Sequence, residues 1–162
     1  MIAFGRVVVA VLMLTSVFGC DRDKPPLLIV ANAPAGDTSI LHMKAVAKVG
    51  ERVTVRGRIG GQARAFIEED REFRMMDLSV PYCGAGDPEA ACPQPWDYCC
   101  EKKELKAAAG FRARIAPPQW RREHFGPLKP LMEVVVTGTV SSIGPEWIVE
   151  VDSVHIAADP GG

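Results

Sequence analysis

The clearest pattern in the chain is a two-residue alternation. Between Arg52 and Ile59, the apolar Val53, Val55 and Ile59 alternate with Arg52, Thr54, Arg56 and Arg58. Successive side chains of a strand point to opposite faces, so this segment predicts a strand with one buried face. Gly57 lies inside it and marks a bulge or tight bend, and Gly60-Gly61 then turns the chain. A second strand is predicted over Glu72 to Val80, where the pair Met75-Met76 interrupts the alternation and suggests another bulge. Phe66 belongs to the same region. Phe111 to Ile115 reads as a short strand with Arg112 and Arg114 on one face. Glu133 to Val140 (EVVVTGTV) is strand-like, with Gly138 suited to a sharp curve. After a turn at Ser141 to Pro145, Glu146 to Ile156 returns. Trp147, Val149 and Val151 share a face there, and Asp152-Ser153 reads as a register shift.

Between these strands one stretch has helical composition, Glu101 to Ala109 (EKKELKAAA), with Gly110 as its stop. Pro117 to Pro130 holds four prolines and reads as a loop with at most one helical turn. Residues 81–104 are irregular. They carry Pro81, Pro88, Pro93 and Pro95, four cysteines and the cluster Trp96-Asp97-Tyr98. No internal repeat or coiled-coil pattern occurs.

Five strands with glycines and bulges and one short helix predict an all-β domain, a small closed barrel, because closing so small a sheet demands strong bending. A β-sandwich is the alternative. The segments Val53-Thr-Val-Arg-Gly57-Arg-Ile59, Phe73-Arg-Met-Met-Asp77, Val134-Val-Val-Thr-Gly138-Thr-Val140 and Trp147 to Ile156 resemble the OB-fold of the anticodon-binding-like class. The segment Cys92-Pro-Gln-Pro-Trp96-Asp-Tyr-Cys99-Cys100 is similar to one in uncharacterised, lipoprotein-like OB domains of planctomycete-type bacteria. The resemblance covers roughly residues 45–157 and implies a five-stranded OB-like barrel with an inserted Cys-rich loop. It also implies a ligand face on the second and third strands, involving Phe73, Arg74, Arg112, Arg114 and the loops near Gln62–Asp70 and Ser141–Glu146. The sequence departs from the class in one respect. The OB helix lies between the third and fourth strands, whereas the best helical composition here precedes the third. Trp96 and Tyr98 read either as a ligand-contacting knob or as packing over the barrel mouth, with Asp97 capping a turn.

The amino terminus has a different character. Arg6 precedes an almost wholly apolar run, Val7 to Val17, too short to span a membrane and suited to a signal-peptide core. Val17-Phe18-Gly19-Cys20 resembles a bacterial lipobox. The resemblance implies a lipid thioether on the Cys20 sulfur, with Gly19 small enough for the peptidase to approach. Each buried methylene adds about 0.8 kcal/mol of membrane affinity, so two or three acyl chains hold firmly. The expected organisation is a signal peptide over residues 1–19, lipidated Cys20 and a tether over 20–44, the barrel over 45–157 and a tail over 158–162. Within the tether Leu27 to Val30 is apolar and adds a short strand or docks on the domain. The expected place is the cell envelope, on the inner or outer membrane, facing the periplasm or the exterior.

Charge narrows the function classes. Of the 19 basic residues only Arg6 precedes Cys20, which leaves 18 against 20 acidic side chains. A general nucleic-acid binder neutralises phosphates and is usually basic, so nucleic acid is an unlikely partner. With Cys20 given to lipid, Cys83, Cys92, Cys99 and Cys100 remain, spaced C-x8-C-x6-C-C. In an oxidising compartment two disulfides are the default, each joining Cys99 or Cys100 to Cys83 or Cys92. A four-thiolate metal site is the alternative, although no C-x-x-C knuckle occurs. Redox-active thiols are a third reading.

His42, His124 and His155 are scattered without partners at ligand spacing, and the methionines at strand positions suit core filling better than copper. No G-x-S-x-G, H-E-x-x-H or P-loop pattern occurs. The sequence therefore predicts a membrane-anchored, non-catalytic OB-like binding module of the envelope, without a cofactor, that takes a protein, glycan or small ligand. A thiol-based metal-binding or redox lipoprotein is the alternative, and nucleic-acid binding the third.

Overall fold

The computed structural model describes residues 29–67, 71–87, 92–116 and 126–159. Lipidation at Cys20, the signal segment, His124 and most of the proline-rich loop lie outside the described residues. Seven strands form one sheet: β1 Thr38–Ser39, β2 Arg52–Ile59, β3 Phe66–Ile67, β4 Glu72–Met76, β5 Gly110–Ile115, β6 Glu133–Ser142 and β7 Ile148–Ala158. Two short helices, α1 Ile40–Val46 and α2 Lys103–Ala108, accompany it.

The sheet closes on itself. β2 pairs antiparallel with β6 through Arg52–Arg58 and with β4 through Arg58 and Ile59. β4 pairs antiparallel with β5, β5 lies parallel to β7, and β7 returns antiparallel to β6. The circuit β2–β4–β5–β7–β6–β2 is a five-stranded barrel with OB-like connectivity, and a β-sandwich is excluded. The barrel is filled by Val55, Ile59, Phe73, Met75, Phe111, Ala113, Val134, Val136, Val149, Val151 and Val154.

Closure depends on local devices. β2 runs without a bulge and instead bends, so that Arg58 meets both Glu133 and Met76. A Cβ on Gly57 would stand 2.8 Å from the Met76 carbonyl oxygen and from Ile40 Cδ1. The expected bulge at Met75-Met76 is also absent. The two side chains face opposite ways and both are buried, Met75 in the barrel and Met76 in a second cluster with Val80, Tyr98 and Ala109. The strand therefore ends at Met76, not Val80. The shift in β7 is real: Thr137 faces Ser153 while Gly138 faces Val151, leaving Asp152 as the extra residue.

α1 lies inside the stretch assigned to a tether. Its Ile40 and Met43 are buried in the barrel core. Ahead of it β1 pairs parallel with β2 at Val55 and Arg56, on the edge that β4 leaves open. Ile29 bridges to Val154, and the Val30 amide donates to the Val154 carbonyl at 2.8 Å. Among the described residues, contacts with the barrel thus reach back to Ile29. α2 sits before β5, where its composition placed it. Gly110 is not a left-handed stop but the first residue of β5. A Cβ there would meet the Lys106 carbonyl oxygen at 2.8 Å and Met76 Sδ at 2.9 Å.

Candidate functional site

Three places carry chemistry: the outer face of β4 and β5, a depression beside α1, and the cysteine loop. On the first, alternation sends Arg74, Arg112 and Arg114 outward and Phe73 inward. Phe73 is fully buried and offers no stacking surface, which corrects its placing on the ligand face. The arginines are engaged with acids of the same sheet. Arg112 reaches Glu72 at 3.1 Å and Glu146 at 2.8 Å, and Arg74 reaches Glu146 at 2.7 Å. Arg114 donates from Nε to Glu72 at 2.7 Å and contacts Glu150 at 3.3 Å. Glu72 is 1% exposed, so the pairs it makes are its substitute for water. Three guanidinium groups against three carboxylates leave the face with no formal surplus of positive charge.

The depression is lined by Thr38, His42, Met43, Val46, Val53 and Thr54, with Gly36, Ala47, Glu51 and Arg52 around it, and encloses about 290 Å³. Its lining residue Val46 stands 59% exposed. Arg52 is paired with Asp152 at 2.6 Å, and the Glu51 carboxylate accepts from the Lys48 amide at 2.9 Å. α1 forms here because Ser39 caps it, its hydroxyl accepting from the His42 amide at 3.1 Å. The sequence signal for this helix is that cap followed by apolar Ile40 and Met43 at helical spacing. On its other side Lys44 donates to the carbonyls of Ala107 at 2.6 Å and Gly110 at 2.8 Å and lies over the Trp147 ring. Burial, helped by the nearby Arg74 charge, lowers its ammonium pKa to about 8.

The cysteine loop joins β4 to β5 and is seated on Gly60-Gly61. The Gly61 amide donates to the Trp96 carbonyl at 2.7 Å, and the Trp96 indole donates to the Ala63 carbonyl at 3.0 Å. A Cβ on Gly60 would stand 2.6 Å from that Trp96 oxygen, and Gly61 has φ +102°. The two glycines are a cradle as well as a turn. Pro95–Asp97 form a 3-10 turn, closed by Tyr98 in the left-handed region at φ 56°. Tyr98 is fully buried against Met76 and Val80. Burial pushes its phenol above the usual range, against the partial offset of the Arg58 guanidinium. Trp96 and Tyr98 pin the loop to the barrel. As a ligand contact Tyr98 is withdrawn by its burial, whereas Trp96 is half-buried with its indole nitrogen bonded to Ala63.

The reversal at Tyr98 carries Cys99 and Cys100 back to Cys83, whose amide donates to the Pro95 carbonyl at 3.3 Å. Sulfurs in a disulfide sit about 2 Å apart. Here the four thiols are free, with Cys83 and Cys99 at 3.3 Å and Cys92 and Cys99 at 3.8 Å. No two of these sulfurs stand at bonding distance, so the expected pairing into two bridges is not shown, and the sulfurs gather around Cys83. The Cys83, Cys92 and Cys99 sulfurs all lie within 4.8 Å of one another. Cys83 is the hub. Burial works to raise its thiol pKa, but the Cys100 amide, at 3.5 Å, and the neighbouring thiols more than reverse this. Cys99 is pushed up to about 12, chiefly by its bond to Cys83. His42 is exposed on α1, and His155 Nδ1 lies 3.2 Å from the Val30 carbonyl, so neither joins the thiols.

Among the described residues no helix is long and apolar enough to cross a membrane. No protein-family model matches the chain, and no curated protein sequence matches it. Among solved structures, the hypothetical protein ygiW from E. coli is similar over 76% of this chain and 94% of its own, with 13% identity and a TM-score of 0.42. An OBody bound to hen egg-white lysozyme is similar over 68% of this chain and 82% of its own, with 13% identity and a TM-score of 0.38. A Leishmania major Friedlin protein provisionally assigned as an aspartyl-tRNA synthetase is similar over 84% of this chain and 25% of its own, with 11% identity and a TM-score of 0.46. The OB-like assignment rests on the strand circuit itself.

Proposed function

We propose that the chain is a non-catalytic binding module of the bacterial cell envelope, held at its membrane by a lipid on Cys20 and taking an envelope protein, glycan or small ligand. The observation that carries the binding reading is the depression beside α1. It combines apolar Met43, Val46 and Val53 with Thr38, His42 and Thr54, the mixed lining typical of ligand sites. Its charged members are already engaged within the chain, and it holds no nucleophile with a base at hydrogen-bond distance. The anchor rests on the lipobox-like Val17 to Cys20. Nucleic acid is not among the proposed ligands, since the face that OB-folds use for it carries guanidinium groups spent on Glu72, Glu146 and Glu150.

Two measurements test the reading. Mass spectrometry of protein made in its own cells should find a chain starting at an acylated Cys20. Retention of residues 1–19 with no fatty acid would end the anchor. For binding, a Val46→Glu variant places a charge at an exposed lining position. Crosslinking in envelope fractions should show a partner or ligand held by the wild type and lost by the variant, at unchanged Tm. An identical set of adducts for both proteins would remove the depression from consideration.

A further inference from the structure

We propose that Cys83, Cys92, Cys99 and Cys100 form a mononuclear thiolate site for zinc, which fastens the cysteine loop. The site is independent of the binding reading and of the anchor.

Tetrahedral zinc holds sulfur at about 2.3 Å, which sets neighbouring sulfurs about 3.8 Å apart. Cys92 and Cys99 stand at 3.8 Å and Cys83 and Cys99 at 3.3 Å, far nearer to a tetrahedron's edge than to a disulfide bond. Three sulfurs, those of Cys83, Cys92 and Cys99, already lie within 4.8 Å of one another, and Cys100 is held beside them by its amide, 3.5 Å from Cys83 Sγ. Disulfides would require two separate pairs. The observed arrangement instead centres on one sulfur, Cys83, with Cys99 at 3.3 Å, Cys92 within 4.8 Å and the Cys100 amide at 3.5 Å.

The surroundings fit a bound thiolate. The Cys100 amide donates to Cys83 Sγ at 3.5 Å, the kind of outer hydrogen bond that orients a metal ligand and spreads its charge. Cys83 is buried, while Cys92, Cys99 and Cys100 lie toward solvent, giving an ion an entry path. Lys102 and Lys103 follow directly in the chain, supplying positive charge close in sequence to a centre that carries two net negative charges when four thiolates bind Zn²⁺. All-sulfur ligation suits zinc or another soft cation, and among the described residues no histidine or carboxylate belongs to the cluster. Binding releases the four thiol protons to solvent, with no change of oxidation state.

The need is physical as well. Among the described residues of the segment 77–109 there are one 3-10 turn and one short helix, and Trp96 and Tyr98 fasten the segment to the barrel. Such a loop cannot bury enough apolar surface to hold itself, and small folds of this kind draw on metal or disulfide cross-links. With the Cys83 hub ligated, the turn at Tyr98 is closed from both ends.

The test uses the full chain, isolated without chelator or reductant and then analysed for metal, intact mass and thiols. The expected result is close to one zinc per chain, with four thiols that react only after denaturation with a chelator. The reduced, metal-free chain should also take up one equivalent of added zinc, and that zinc should protect all four thiols. A mass lower by four hydrogens with no metal means two disulfides and overturns the proposal, as does uptake of less than half an equivalent by the reduced chain. Because Cys83→Ser could destabilise the loop, the exposed Cys99→Ser serves as the second variant. It should retain the far-ultraviolet spectrum of the barrel and lose the metal. Unchanged zinc stoichiometry and affinity in that variant would also overturn the proposal.

Discussion

The carboxylate of Asp77 accepts a hydrogen bond from the amide of Leu41 at 3.1 Å, tying the end of β4 to the first turn of α1. The same group accepts from the Ser79 amide at 3.0 Å and the Ser79 hydroxyl at 2.7 Å. One buried acid thus caps a helix distant in sequence and shapes the turn that opens the cysteine loop. Burial alone would raise its pKa, but the donors from Ser79, Leu41 and Ile40 outweigh that and hold it below the usual value. Asp77→Ala should cost about 1–2 kcal/mol, the usual range for a lost cap, read by urea denaturation at pH 7. Since the folded pKa is depressed, the stabilisation is complete above the unfolded value and disappears as pH falls through the folded one. The gap between wild type and variant should therefore close in acid. A gap that persists unchanged into strong acid would show that packing, and not ionisation, accounts for the loss.

The neutral arginine face makes a prediction that runs toward gain. Wild-type protein should show no retention on a DNA or heparin column at low salt. A Glu72→Gln/Glu146→Gln double variant leaves Arg74, Arg112 and Arg114 opposed by Glu150 alone, and should be retained in a salt-dependent manner. Removing the charge of Glu72, which is deeply buried, should also cost about 1–3 kcal/mol. The Glu146→Gln single variant serves as the well-folded control and should show weaker retention.

At Lys44 the pH slope has the same sign as at Asp77, although here the folded state disfavours the charged form instead of favouring it. Its folded pKa of about 8 lies below that of an unfolded lysine, about 10.4. Between those values the unfolded chain binds the extra proton, so this group makes stability rise with pH. Comparing Lys44→Met with wild type across that window should show the wild type gaining relative to the variant. Parallel profiles would mean that Lys44 keeps an ordinary pKa.

The glycine cradle is the fourth target. Gly61→Ala forces a side chain into a positive-φ position where Met76 Sδ would stand 2.6 Å away. It should cost about 1–3 kcal/mol, and Trp96 fluorescence should shift toward that of a solvated indole. The analogous change at Gly144, where a Cβ meets nothing within 4 Å, should be nearly silent.

Much of the barrel was legible in the sequence because its strands bury one face and therefore alternate. Val53, Val55 and Ile59 on β2 and Val149 and Val151 on β7 are such cases, and Asp152 announced its own register shift. Met75-Met76 misled because a strand end buried on both faces looks like a bulge when only one core is imagined. α1 was missed because seven residues carry little periodic signal, and the cap at Ser39 was its clearest trace. At the cysteine loop composition identified the right residues but not their arrangement, since four thiols in a line say nothing about which sulfur lies at the centre. The pairing of Arg112 and Arg114 with Glu72 was equally hidden. It requires β4 and β5 to be neighbours in one register, which is a fact of topology and not of local pattern.

The bridge from Ile29 to Val154 has a consequence for geometry at the bilayer. Under the proposed lipid on Cys20, a chain laced into the barrel at Ile29 would have a leash of only about 30 Å at full stretch. Such a module could not roam the aqueous space above its membrane. It would ride close to the headgroups with its Val154 side turned toward them, and any macromolecule it meets would have to come within that narrow layer.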